Sequence, residues 1–155
     1  MSRQPEHRRV IARNKRARHL YEILGELECG VVLVGTEVKS LREGHCSIAE
    51  AYARVRGGEL FLIGATIPEY RCGNIFNHVP GRERKLLAHR REIDKWTRHV
   101  KQRGMTIVPM EIYFEGSRVK VLLGLGKGKR LVDKRQAQRT RSDRRDMDRA
   151  AGRRR

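Results

Sequence analysis

The stretch VPMEIYFEGSRVKVLLGL (Val108–Leu125) decides the fold. Val108, Met110, Ile112 and Phe114 recur at every second position, EGSR supplies a turn, and Val119, Val121, Leu123 and Leu125 return with the same alternation. A period of two with one apolar side predicts an antiparallel hairpin laid on a core. Upstream, Gly57-Gly58 separates AEAYARVR (49–56) from ELFLIGATI (59–67), a strong signal for a second tight hairpin. LECGVVLV (27–34) predicts another strand, with Leu27, Cys29, Val31 and Leu33 on one face and Val32 and Val34 on the other. TEVKSLREG (36–44) predicts a short helix that stops at Gly44. From Lys85 the period becomes helical: Leu86, Ile93, Trp96 and Val100 share one face, with Arg90, Arg91, Glu92, Asp94, Lys95, Arg98 and Lys101 elsewhere and Gly104 closing the helix. PEYRCGNIFNHVPG (68–81), rich in turn formers, predicts a loop. Five or six antiparallel strands with one long and one short helix predict a mainly β fold. The preferred form is a small antiparallel OB-like barrel with flanking short helices and a basic C-terminal tail, because closure removes exposed strand edges. A ribosomal-protein-like α+β sandwich is the alternative.

Charge points to the partner. The 155 residues carry a formal net charge of +18, which calls for a polyanion, nucleic acid first and an anionic membrane surface second. Residues 1–19 hold seven Lys/Arg against one acid, and residues 127–155 hold thirteen against four. The segment between them is nearly balanced, as an ordinary globular domain is. A flexible basic arm (1–13), a folded domain (14–130) and a basic tail (131–155) follow from this division. No apolar run approaches the roughly 20 residues that span a bilayer, and the basic N-terminus lacks the apolar stretch of a secretory signal. Both predict a cytoplasmic protein with no membrane partner. Aromatic residues are only 5% and none follows Phe114, so stacking on many single-stranded bases is disfavoured and structured RNA fits better.

Catalytic and cofactor patterns are sparse. GLGKGK (124–129) suggests a phosphate loop, but no Gly stands five residues before Gly126 or Gly128, and no Ser or Thr follows either lysine, so it is not a Walker A sequence. The six histidines form no HExxH, there is no GxSxG, and Cys29, Cys46 and Cys72 form no CxxC, so the thiols are expected to be free and buried. No cofactor, metal site or catalytic residue is expected. Glu28, Glu37 and Glu50 are most simply surface charges. Glu28 has a second reading: beside RNA a carboxylate is useful only if it accepts from a base amino group or orients a neighbouring Arg. ARNKRARHLY (12–21) can track a phosphate backbone as a short helix or an extended arm. In the tail, Arg139–Asp143, Arg144–Asp148 and Asp146–Arg149 have helical spacing, worth roughly 0.2–0.5 kcal/mol each. Met147 and alanines are the apolar side chains from Gln136 onward, so the tail is expected to be disordered alone and to become helical against a polyanion.

Six blocks in order, NKRARH (14–19), GTEVKSLREG (35–44), GNIFNH (73–78), RKLLAHRREID (84–94), RVKVLLGLGKGK (118–129) and DKR (133–135), closely resemble the SsrA-binding protein family, small protein B. The resemblance spans about residues 12–136. It implies a non-catalytic RNA-binding protein that takes the tRNA-like domain of transfer-messenger RNA to stalled ribosomes for trans-translation. The implied partners are that RNA and the small ribosomal subunit, with elongation factor Tu reached indirectly through the aminoacylated RNA and the protein a monomer on it. Asn14 and Glu28 match positions that hold the tRNA-like elbow, and Lys127 and Lys129 match the basic block at the end of the barrel. Lys15, Arg16, Arg18, Lys39 and Arg42 are the further RNA-binding candidates in matching blocks. Asp133, Lys134 and Arg135 open the tail implied to enter the decoding site and empty messenger channel, followed by Arg139, Arg144 and Arg145. Val132 departs from the family, in which a ring suited to stacking often stands before DKR.

Overall fold

The computed structural model describes residues 8–73, 77–129 and 131–152, with side chains in the last stretch from residue 138 onward. In chain order the elements are β1 (Arg8–Arg13), α1 (Ala17–Leu20), β2 (Tyr21–Val31), α2 (Gly35–Arg42), β3 (Tyr52–Arg56), β4 (Glu59–Ile63), β5 (Arg84–Leu87), α3 (Arg90–Arg103), β6 (Thr106–Glu115), β7 (Arg118–Gly128) and α4 (Leu131–Gly152). The pairings are antiparallel and run β1-β6-β3-β4-β5-β2-β7, and β7 returns to β6. Six strands therefore form a closed ring, the expected OB-like barrel, and β1 lies outside it along the second half of β6. Closure is thin at two seams: β3 meets β6 at Ala53↔Ile107 alone, and β2 meets β5 at Gly30↔Leu87 and Val31↔Leu86.

The β6–β7 hairpin builds one of the long walls of the ring. Its register runs from Thr106↔Gly126 to Glu115↔Arg118, and Gly116 turns it at a φ of +61° that L side chains rarely adopt. Ile112, Val121 and Leu123 face inward and are buried, each contributing roughly 1.5–3 kcal/mol of apolar burial. Gly57 and Gly58, at φ +60° and +76°, make the expected tight turn between β3 and β4. Ile93 and Trp96 of α3 plug into the same core, and Gly104 ends that helix in the left-handed conformation.

Several sequence expectations need correction. Val108 and Met110 do not share a face with Ile112 and Phe114. A bulge between Pro109 and Glu111 shifts the register, and one residue of slip sends side chains to the other face. Val108 and Met110 instead form an outer cluster with Ala17, against which Tyr21 and Ile23 pack. The strand read from Leu27 begins at Tyr21, its early alternation broken by an irregularity between Ile23 and Gly25. Leu86 is not on the long helix. It belongs to β5, buried in the core, and the helix starts only at Arg90. Residues 8–13 of the supposed flexible arm are a strand, because their backbone groups pair with β6 from Arg8↔Glu115 to Arg13↔Glu111.

Glu37 is also not a surface charge. It is fully buried with Arg84, whose Nε donates to Glu37 Oε2, while Arg82 donates to Oε1. Arg84 further donates to the carbonyls of Ala65 (2.9 Å), Arg82 (2.8 Å) and Pro80 (2.9 Å). Val34 N–H caps α2 by donating to Glu37 Oε1 at 3.0 Å. Burial pushes the Glu37 carboxyl up, but these donors outweigh it and hold it below the usual carboxylate range. On the same side of α2, Ser40 donates to Pro68 O at 2.8 Å, and Thr36 Oγ1 lies 2.9 Å from His78 Nδ1. His78 Nε2 donates to Ile67 O at 2.8 Å. The loop between β4 and β5 is thus tied to α2 by polar groups, while Leu41 of α2 and Ala65 and Ile67 of the loop are buried in the same core.

Candidate nucleic-acid interface

α1 sits on the outer face of β6, β7 and β2, and two glycines let it do so. A Cβ on Gly126 would stand 2.8 Å from Tyr21 Cβ and 3.1 Å from its Cγ; one on Gly124 would stand 2.8 Å from Met110 Sδ. Gly124 and Gly126 therefore leave room for the outer cluster under α1, whereas a Cβ on Gly128 would meet nothing within 4 Å. Gly126→Ala must move atoms next to the Tyr21 backbone, whereas Gly124→Ala meets first a flexible thioether. Gly126→Ala is expected to cost about 1–3 kcal/mol and Gly124→Ala less, as read by urea denaturation. Equal, near-zero losses would show that the close approach carries no stability.

Around α1 the structure gathers six of the sequence candidates. Asn14 N–H donates to Met110 O (2.8 Å) and its Nδ2 to Pro109 O (3.1 Å), so Asn14 clamps the β1–α1 corner to the bulge of β6. Lys129 closes the other side, its N–H donating to Leu20 O (3.0 Å) and its Nζ to Arg18 O (2.8 Å). Arg18 pairs with Glu26 at 3.1 Å. Lys15, Arg16 and Lys127 are exposed, and among the described residues none has an ion-pair partner. Asn14 and Lys129 thus hold the corner, and Lys15, Arg16 and Lys127 present free charge. α4 departs beside α1.

Glu28 lies about 20 Å farther along β2, six residues from Glu22, which faces Lys127 across the strand pair. Lys120 Nζ donates to Glu28 Oε1 at 2.8 Å and Tyr113 Oη donates to Oε2. Lys120 also pairs with Glu115, and the Arg8 guanidinium lies 3.8 Å from the Tyr113 ring centre. Hydrogen bonds from Lys120 and Tyr113 hold the Glu28 carboxyl below its usual range. Burial and the Glu28 hydrogen bond push the Tyr113 phenol up, and Glu115 and Glu28 push the Lys120 ammonium up. Glu28 therefore pairs with a lysine and a tyrosine, not with the arginine the sequence reading named. Tyr113, Lys120 and Arg8 were missed. Alternation from Ile112 and Val121 puts Tyr113 and Lys120 on the outer face, and they are directly paired across the hairpin.

Lys39 and Arg42 are exposed on α2, apart from the α1 group. Lys39 Nζ lies 5.6 Å from the Tyr70 ring centre, and Arg9 donates to Arg42 O at 3.0 Å. In α4 the backbone is helical, whereas the sequence predicts disorder for the isolated tail. Among the described residues the three expected ion pairs are not closed. Arg139, Arg144 and Arg145 are exposed, and Met147 is 68% exposed, so from residue 138 onward the described side chains of that helix bury no apolar stripe. The side chains of Val132, Asp133, Lys134 and Arg135 lie outside the described residues. Cys29 is buried, and desolvation pushes its thiol up to about 12; Cys46 is raised to about 11 by its burial. Cys72 is exposed, contrary to expectation. No described helix is long and apolar enough to cross a membrane.

The SmpB protein family profile matches residues 11–153. The SsrA-binding protein of Acetivibrio thermocellus is 50% identical over 144 residues, 93% of this chain and 94% of that one. That of Microcystis aeruginosa is 49% identical over 151 residues, covering 97% and 98%. A solved chain from a study of tmRNA-SmpB in the bacterial ribosome superposes with a TM-score of 0.65 at 47% identity, covering 77% of this chain and 85% of that one. With the strand ring, the α1 corner and a matching profile over most of its length, the chain belongs to the SsrA-binding protein family.

Proposed function

We propose that this protein binds the tRNA-like part of transfer-messenger RNA and delivers it to stalled ribosomes, acting as a non-catalytic, cytoplasmic rescue factor. The relatives are SsrA-binding proteins, and the superposing chain comes from tmRNA-SmpB on the bacterial ribosome. The observation that carries the reading is the free basic surface at α1 and the end of β7, next to the point where α4 leaves the barrel. Asn14, Lys15, Arg16, Arg18, Lys127 and Lys129 form the part that holds RNA, Glu28 adds an acceptor, and Lys39 and Arg42 extend the contact from α2. The tail carries Val132, Asp133, Lys134 and Arg135 toward the decoding site and Arg139, Arg144 and Arg145 along the empty messenger channel. Elongation factor Tu arrives on the aminoacylated RNA.

Phosphate-dominated binding is tested by salt. Five exposed cations without an ion pair among the described residues, Lys15, Arg16, Lys39, Arg42 and Lys127, imply a slope of log affinity against log salt of about −4. Titrating a transcript of the tRNA-like domain between low and physiological salt measures it. An affinity flat across that range contradicts the reading.

A further inference from the structure

We propose that Tyr113 and Lys120 are positioning residues that present the Glu28 carboxylate as a fixed pair of acceptors for the Watson–Crick edge of an unpaired guanine. The inference rests on the reading of Glu28 as an RNA contact and names what it contacts.

A carboxylate has about four acceptor positions over its two oxygens. Lys120 occupies one on Oε1 and Tyr113 one on Oε2. Each oxygen therefore keeps one acceptor position, and the Glu28 side chain is 44% exposed, so the carboxylate can be reached from solvent. Two internal donors, one on each oxygen, restrain the rotation of the carboxylate and keep it ionised. Tyr113 is itself held: its body is buried, Arg8 covers its ring, and Arg8 pairs with Glu111 on the same strand. Lys120 is anchored from its other side by Glu115. The acceptor pair is set before any ligand arrives, which lowers the ordering cost of binding.

A phosphate cannot be the ligand of these two oxygens, because it offers no donor. Two neighbouring acceptors need two neighbouring N–H groups. Among the four bases only guanine carries them on one edge, at N1 and N2; cytosine and adenine offer one amino group and uracil one N–H. That edge is free only where the guanine is not base paired, the usual target of base-specific RNA recognition.

The experiment measures affinity for a transcript of the tRNA-like domain with the full chain and its E28A, Y113F and E28A/Y113F variants, each with guanosine or inosine in the transcript. Inosine lacks the N2 amino group. The carboxyl 13C shift of Glu28 is titrated in the wild type and Y113F, and thermal melting reports folding. Y113F is expected to lose about tenfold in affinity, to melt as the wild type does, and to raise the Glu28 titration toward the ordinary range. In the E28A background the same change should cost less than about twofold, and inosine should weaken the wild type but not E28A. If E28A binds as the wild type does, the reading of Glu28 as an RNA contact falls and this inference with it. If E28A weakens binding but Y113F costs the same in both backgrounds, or leaves the Glu28 titration in place, positioning is overturned while the contact stands. Equal inosine losses in wild type and E28A overturn the guanine assignment.

Discussion

Glu37→Ala is expected to lose about 3–5 kcal/mol of folding stability, because it leaves the Arg84 guanidinium buried without its counter-charge. That is a large share of the 5–15 kcal/mol that holds an ordinary domain together. The consequence extends beyond one pair. Arg84 donates to three carbonyls of the segment between β4 and β5, and Glu37 caps α2, so one substitution loosens the loop from the helix that carries Lys39 and Arg42. Because the folded Glu37 carboxyl lies below its ordinary value of 4.5, its stabilisation is fully present above that pH and is lost as pH falls through the folded value. Urea denaturation at neutral pH measures the loss. A change under 1 kcal/mol would mean that the guanidinium is satisfied by the carbonyls alone. Replacing Glu37 and Arg84 together with apolar residues of similar volume should recover part of the loss, since no buried charge then remains.

The barrel was legible from alternation where the strands are regular: the β6–β7 hairpin beyond the bulge and the Gly57-Gly58 turn need no more than period and turn chemistry. Legibility failed where the backbone inserts a residue. The irregularities at Pro109/Glu111 and Ile23/Gly25 reverse which side chains face in, and they build the outer cluster that seats α1. β5 was hidden by an accident of spacing, since Leu86 and Ile93 lie seven apart and so share a face on a helix that does not include Leu86. The buried Glu37–Arg84 pair joins groups 47 positions apart, so nothing local marks either residue as interior. In the candidate interface, charge and the family resemblance pointed to Asn14, Glu28, Lys127 and Lys129 as candidates. Their division of labour came only with the geometry: Asn14 and Lys129 clamp the corner, Lys127 stays free, and Glu28 is held by Tyr113 and Lys120.

Removing residues 132–155 is expected to abolish peptide tagging on stalled ribosomes while RNA binding changes little, no more than threefold at physiological salt. The barrel, α1 and the last strand end before that cut, and Lys129 keeps its contacts to Leu20 and Arg18. From residue 138 onward the described side chains of α4 are exposed, so removing that part uncovers no core. The tail does carry much of the excess charge, so a modest general weakening at low salt is expected and should vanish as salt rises. The most direct measurement pairs the two readouts on one preparation: affinity for the tRNA-like domain, and tag addition on ribosomes stalled at the end of a message, for the full chain and for residues 1–131. Retained binding with lost tagging is the predicted result, separating a barrel that holds RNA from a tail that engages the ribosome. Equal loss of both, or tagging that survives the cut, contradicts it.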